Sequence, residues 1–129
     1  MTGLAEPRSP YRYGADAEAL AEDVLRRAGM VVVARRFRWR HGEIDLIARD
    51  GEEIVFVEVK ARRRAAGYLP GETIGRVKRR RIARTALAWL QRFDRLERPC
   101  RFDVVEVFGA LEAGPRVRHL RDAFRPGER

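Results

Sequence analysis

Apolar and polar positions recur along this chain in segments that read as two helices and five strands. Ala17, Leu20, Ala21, Val24 and Ala28 fall at helical spacing, so a helix is expected over residues 14–28 with Gly29 as its stop. Met30, Val31, Val32 and Val33 form an unbroken apolar run, which predicts a strand over residues 30–37 buried on both faces. Two further strands, residues 43–49 and 54–60, are joined at Asp50-Gly51, a dipeptide suited to a tight hairpin turn. A second helix is expected over residues 76–93. Val77, Ile82, Ala83, Ala86, Leu87 and Leu90 supply its buried stripe, with Trp89 and Phe93 at the margin. RFDVVEVF, residues 101–108, reads as a strand with Phe102, Val104 and Glu106 on one face and Asp103, Val105 and Val107 on the other. A short strand over residues 116–120 closes the order. One mixed sheet flanked by the two helices, an α/β domain, is the natural packing.

The hairpin carries the anomaly. Its second strand sets Val55, Val57 and Val59 on one face and Ile54, Phe56, Glu58 and Lys60 on the other, so a run apolar enough for burial ends in a carboxylate and an ammonium. On the first strand Glu43, Asp45 and Ile47 share a face by the same parity. A two-residue turn would set Asp45 opposite Phe56 and Glu43 opposite Glu58; a four-residue loop would set Asp45 opposite Glu58 and Glu43 opposite Lys60. In either register Asp45 and Glu58 are direct or diagonal neighbours. Two such carboxylates repel and call for a proton, a lysine or a divalent cation between them. Magnesium commonly takes one or two carboxylates with water and phosphate oxygens, and Lys60 is placed to orient water or neutralise a phosphate. The same pattern also fits an amphipathic hairpin whose Glu58 and Lys60 form a solvated pair on an open sheet face.

Charge and composition narrow the partner. The chain has 129 residues, enough for one domain and not two. Residues 1–13, with Pro7 and Pro10, read as a flexible arm, 14–124 as the single domain and 125–129 as a disordered tail. A net charge of +9 and a pI near 11.0 point to an acidic partner, most often nucleic acid. Between Lys60 and Arg84 there are ten basic residues and one acidic residue, Glu72, a one-sided excess that favours phosphate contact. Arg62, Arg63, Arg64, Lys78, Arg79 and Arg81 are the candidate nucleic-acid contacts. The loop between them, with Gly67, Pro70, Gly71 and Gly75, reads as a flap beside the site. Phe37 and Trp39 among Arg35, Arg36, Arg38 and Arg40 fit either base stacking or packing under the sheet, the latter favoured by ordinary burial preferences. His41 reads as a turn residue rather than a ligand. The lone Cys100 excludes an intrachain disulfide and a cysteine-rich metal site. With no apolar leader and no membrane-length segment, a cytoplasmic protein is expected.

Asp45 followed by Glu58-Val59-Lys60 resembles the D…E-x-K signature of the restriction-endonuclease-like nucleases. The fuller strings GEIDLIARD and VFVEVKARR resemble the YraN-type proteins, a widespread bacterial family similar to archaeal Holliday junction resolvases. The likeness runs over about residues 14–124. It implies a restriction-endonuclease-like core. GADAE, residues 14–18, resembles the family's first-helix motif, which implies Glu18 as a third acidic residue beside Asp45 and Glu58. These three would hold Mg²⁺ or Mn²⁺, with Lys60 orienting the attacking water. Lys78 matches the family's lysine at the start of the second helix. Asp103 of RFDVV is implied to be structural, and Phe124 of the closing Asp122-Ala123-Phe124 motif to pack on the domain. Arg36 stands where the family commonly has asparagine, a departure outside the acidic set.

Three functions follow as expectations. The first is a metal-dependent endonuclease acting on branched or otherwise structured DNA, with DNA favoured over RNA as partner. A junction-resolving activity needs two symmetric cuts and would imply a homodimer. The second is a nucleic-acid-binding module of the same fold without turnover. The third is an RNA-associated accessory protein, which the charge allows and the carboxylates do not explain.

Overall fold

The strand that carries Glu58 and Lys60 lies at the middle of the sheet. The computed structural model of the chain describes residues 10–62, 74–109 and 114–125. It runs α1 (Pro10–Arg27), β1 (Val31–Trp39), β2 (Gly42–Asp50), β3 (Glu53–Arg62), α2 (Arg76–Arg92), β4 (Cys100–Phe108) and β5 (Arg116–Phe124). The strands form one five-stranded sheet in the order β1-β2-β3-β4-β5. Among the described strands only β3 and β4 are parallel, and the long crossover that a parallel pair needs carries α2.

Each helix seals one face. Ala17, Ala21 and Leu25 of α1 pack on Leu46, Val55, Val57, Val105 and Val107. Ile82, Ala86, Trp89 and Leu90 of α2 pack on Ile44, Ile54, Phe56, Phe102 and Val104. Phe56 meets Trp89 edge-on at 6.0 Å and stacks on Phe102 at 5.4 Å, so the second core is built round aromatic rings. The chain is thus an α/β sandwich with a mixed central sheet between two helices. Among the described residues no helix is long and apolar enough to cross a membrane.

The structure departs from the sequence reading at several boundaries. Helix α1 starts at Pro10, because proline suits the first helical turn, so residues 10–13 belong to the helix rather than to an arm. Residues 1–9 and 126–129, the rest of the expected arm and most of the tail, lie outside the described residues, as do residues 63–73, which hold nearly all of the flap expected over 65–75. Strand β1 is the sheet edge rather than a doubly buried strand, with Val31 and Val33 exposed. An apolar run does not distinguish an edge from a centre when one face is covered. On α2 the buried residues are Ile82, Thr85, Ala86, Trp89 and Leu90, while Val77 and Leu87 face solvent. Strand β5 runs on to Phe124, whose ring packs 5.2 Å from that of Phe102.

The turn between β1 and β2 sits tightly on α2. A side chain at Gly42 would overlap the Thr85 hydroxyl, itself tied at 2.8 Å to the Arg81 carbonyl. Thr85 is fully buried. Gly42→Ala is therefore expected to cost about 1–3 kcal/mol, read as a lower urea midpoint at unchanged slope.

Candidate active site

The register of the hairpin decides what Asp45 faces. The β2–β3 ladder pairs Asp50 with Glu53 across a turn of two residues, Gly51-Glu52, and runs to Leu46 with Val57. One further step sets Asp45 level with Glu58; the turn is Gly51-Glu52 rather than the expected Asp50-Gly51, so the direct register comes with a two-residue turn and not with the four-residue loop expected for it. There the ladder gives way to a side chain: the Val59 N–H donates to Asp45 Oδ2 at 2.7 Å. The alternation of β2 is also broken at this point, since Ile44 and Ile47 pack into the same cluster. On the neighbouring strand Arg36 lies between the Arg35–Leu46 and Phe37–Ile44 pairs with φ 49°, a left-handed backbone that is uncommon for arginine. The shared face expected for Glu43, Asp45 and Ile47 is therefore not kept by simple parity, and Glu43 pairs with Arg38 at 3.0 Å.

Electrostatics at Asp45 are those of a crowded pair. Burial, the charge of Glu58 and a hydrogen bond with Glu58 push the Asp45 carboxyl up to about 8, against the opposing Val59 N–H; Glu18 adds to the rise. At neutral pH Asp45 thus holds a proton beside a buried Glu58. Two ammonium groups address Glu58 Oε2: Lys60 at 3.8 Å and Lys78 in direct contact. Burial acts to lower the Lys78 ammonium, but Glu58 and Asp45 hold it above the ordinary lysine value. Helical spacing explains how Lys78 arrives there, because residues 78, 82, 85 and 89 share the sheet-facing side of α2. A pocket of about 440 Å³ opens over the pair, lined by His41, Gly42, Glu43, Asp45, Glu58, Lys78, Arg81 and Ile82.

Glu18 stands apart. Its Oε1 accepts from Arg36 Nε at 2.9 Å, and it lines a separate pocket with Glu22, Arg35 and Arg36. Among the described residues no three His, Cys, Asp or Glu side chains are spaced to hold a metal ion. The structure thus assembles Asp45, Glu58, Lys60 and Lys78, with Glu18 held by Arg36. Arg36, read from the sequence as outside the acidic set, is bonded to one of its members.

The candidate nucleic-acid contacts also divide. Arg81 is exposed and borders the pocket, as does Lys78. Arg79 turns inward, donating to the Ile74 carbonyl at 2.9 Å with its guanidinium 5.5 Å from the Phe124 ring centre. The side chain of Arg62, and all of Arg63 and Arg64, lie outside the described residues. Asp103 is a structural carboxylate: Arg101 Nε at 2.9 Å, His119 Nε2 at 2.8 Å and the Asp122 N–H at 2.9 Å converge on it. Burial acts to raise it, but His119, Arg101 and Asp122 together hold it below the usual aspartate value. Arg101 in turn reaches Asp50 at 3.0 Å and Glu53 at 2.8 Å, pinning the hairpin tip to β4. The tie between Lys78 and Glu58 was missed from the sequence, although its signal was present in the spacing of Lys78 to Ile82 and Thr85.

Comparison with known proteins places this hairpin in a wider group. Residues 17–107 match the model of a family described as "Uncharacterised protein family UPF0102". A UPF0102 protein of Nocardia farcinica is 45% identical over 123 residues, covering 95% of this chain and 97% of that protein. One from Geotalea uraniireducens is 43% identical over 111 residues, 86% of this chain and 87% of the relative. One from Anaeromyxobacter sp. is 46% identical over 111 residues, 86% and 83%. The sequence that builds the Asp45–Glu58 pair lies inside all of this likeness, and the chain belongs to the UPF0102 family, the YraN-type proteins.

Proposed function

We propose that the protein is a divalent-metal-dependent endonuclease with a restriction-endonuclease-like core, similar to archaeal Holliday junction resolvases, acting on branched or otherwise structured DNA. The observation that carries this reading is the Asp45–Glu58 pair, two carboxylates brought level on adjacent strands beneath a pocket, with Lys60 on the same strand as Glu58 and 3.8 Å from it. A protein that merely binds phosphate gains nothing from negative charge beside its basic helix. The donor set fits Mg²⁺ or Mn²⁺: hard carboxylate oxygens, with a proton to be displaced. Asp45 and Glu58 would hold the ion, and Glu18 would join only if it left Arg36. When bound, such an ion polarises a phosphate and lowers the pKa of its water. Lys60 orients the nucleophile, Lys78 leaves Glu58 to meet a phosphate oxygen, and Arg81 holds the backbone nearby. A junction-resolving enzyme of this kind acts as a homodimer.

One observation favours a second reading, a DNA-binding module of the same fold without turnover. Lys78 on Glu58 and Arg36 on Glu18 satisfy both carboxylates without an ion. A cleavage assay on four-way junctions, flaps, single strands and linear duplex, with and without Mg²⁺ or Mn²⁺, separates the two. Metal-dependent strand scission that is lost in Glu58→Gln supports the enzyme. Binding without scission of any substrate supports the module.

Both readings place DNA on α2. Arg81→Ala and Arg84→Ala are each expected to lower the slope of log K against log salt by about 0.9 for duplex DNA. Arg79→Ala is expected to leave that slope unchanged, since Arg79 faces the protein. Salt titrations by fluorescence anisotropy check both statements, and an Arg81→Ala slope equal to wild type would move the DNA path off this helix.

A further inference from the structure

A second cavity adjoins the carboxylate pocket and has a different character. It measures about 580 Å³ and is lined by Trp39, Arg40, His41, Gly42, Arg81, Arg84 and Thr85. Among the described residues its lining has three arginines, Arg40, Arg81 and Arg84, and no carboxylate, and it shares His41, Gly42 and Arg81 with the pocket over Asp45 and Glu58. Its volume lies in the range of small-molecule sites. Phe37 packs against the core beside Ile44, whereas Trp39 is left half-buried at the cavity. The Arg40 guanidinium lies over the Trp39 ring, 4.7 Å from its centre, a cation–π contact at an indole that a flat group can also meet.

The turn that presents this stack is strained. Trp39 pairs with Gly42, so Arg40 and His41 are the two central residues of a tight hairpin. Such positions favour Asn, Asp or Gly, yet Arg40 sits there at φ 53°. An arginine held in a left-handed backbone at the mouth of a basic, aromatic cavity is the kind of outlier that marks a binding site.

We infer that this cavity receives one unpaired deoxynucleotide adjoining the scissile phosphate, its base stacked on Trp39 and its phosphate held by Arg81 and Arg84. The inference rests on the nuclease reading and deepens it: the preferred DNA carries a single-stranded segment at the cut site. Base stacking on an aromatic ring, with cations along the backbone, is how unpaired strands are held without sequence preference.

The test is binding of the full chain without metal, in EDTA, to flapped duplex, single-stranded DNA and blunt duplex of equal length. Trp39→Ala is expected to weaken flapped and single-stranded DNA about tenfold and blunt duplex less than about twofold, while Trp39→Phe retains most of the binding. Thermal unfolding checks that both variants are folded. Wild-type fluorescence supplies a readout needing no variant: Trp89 is buried, so quenching by flapped but not blunt DNA reports Trp39. Equal losses on all three DNAs, no loss, or no quenching would overturn the subsite. Tighter binding of single-stranded RNA than DNA would overturn the deoxynucleotide assignment. Cleavage that proceeds while Trp39→Ala binds every DNA normally defeats the subsite alone. Trp39-dependent binding with no cleavage under any metal defeats the nuclease alone.

Discussion

Asp45→Asn is expected to abolish metal-dependent cleavage, by about a thousandfold or more, while making the metal-free protein more stable above neutral pH. The first half follows from removing one of two ligands of an ion that contributes several kcal/mol at the transition state, each 1.36 kcal/mol being a factor of ten. The second half follows from the sign of the Asp45 shift. Its folded value is about 8, above the 3.8 of an unperturbed aspartate. Between these values the folded state holds a proton that the unfolded state has lost. Stability from this group is therefore fully present below about pH 4 and is lost as pH rises to about 8. Asparagine keeps the shape, keeps an oxygen for the Val59 N–H, and donates a hydrogen to Glu58 as the protonated acid does. The variant should match the wild type near pH 4 and exceed it above pH 8, by on the order of 2 kcal/mol after coupling within the pair is allowed for. Chemical denaturation at several pH values measures this. A variant less stable than wild type at pH 8 would mean that Asp45 is a structural anchor of the hairpin.

Asp103→Ala should have the opposite character and the largest effect on the fold. Arg101 is partly buried against Asp50, Glu53 and Asp103, and Asp103 is fully buried and also holds His119 and the Asp122 N–H. Removing it strands a guanidinium and leaves a bulged edge strand without its anchor. Breaking one side of a buried ion pair costs about 3–5 kcal/mol, which corresponds to a fall in Tm of roughly 10–20 °C for a domain of this size. The pH dependence is reversed as well. The folded Asp103 lies below its unfolded value, so its stability is present above about pH 4 and lost as pH falls through the folded value. Wild type should thus lose stability on acidification more steeply than the variant. A loss under about 1 kcal/mol, with an unchanged acid limb, would show that the Arg101 network contributes little.

The hairpin and both helices were legible because their apolar periodicities are long, although the hairpin turn lies one residue later than expected and α1 begins at Pro10. What periodicity could not supply was position within the sheet. Val31 and Val33 read as core and lie on the open side of an edge strand, since burial of one face alone already accounts for an apolar run. On α2 the choice between Val77 and Trp89 as the buried residue depended on which way the helix faces the sheet, and bulk won: Trp89 fills the space over Phe56. The nearness of Asp45 and Glu58 was legible because both registers open to the hairpin made them direct or diagonal neighbours; which register holds was not, since the turn lies one residue later than its Asp-Gly dipeptide suggests. The environment of the pair was not legible, because Lys78 approaches from α2, well along the chain from the hairpin. Glu18 shows the same limit from the other side: resemblance offered it to the metal set, and an arginine in a left-handed backbone holds it elsewhere.

Calorimetric titration of Mn²⁺ into the metal-free protein at pH 7, repeated in buffers of different ionisation enthalpy, tests the carboxylate pair most directly. If the ion binds at Asp45 and Glu58, it must displace the proton that Asp45 holds, so close to one proton should be released per ion. Asp45→Asn should bind more weakly and release none. Binding without proton release, or a proton count unchanged in Asp45→Asn, would contradict a metal site at this pair.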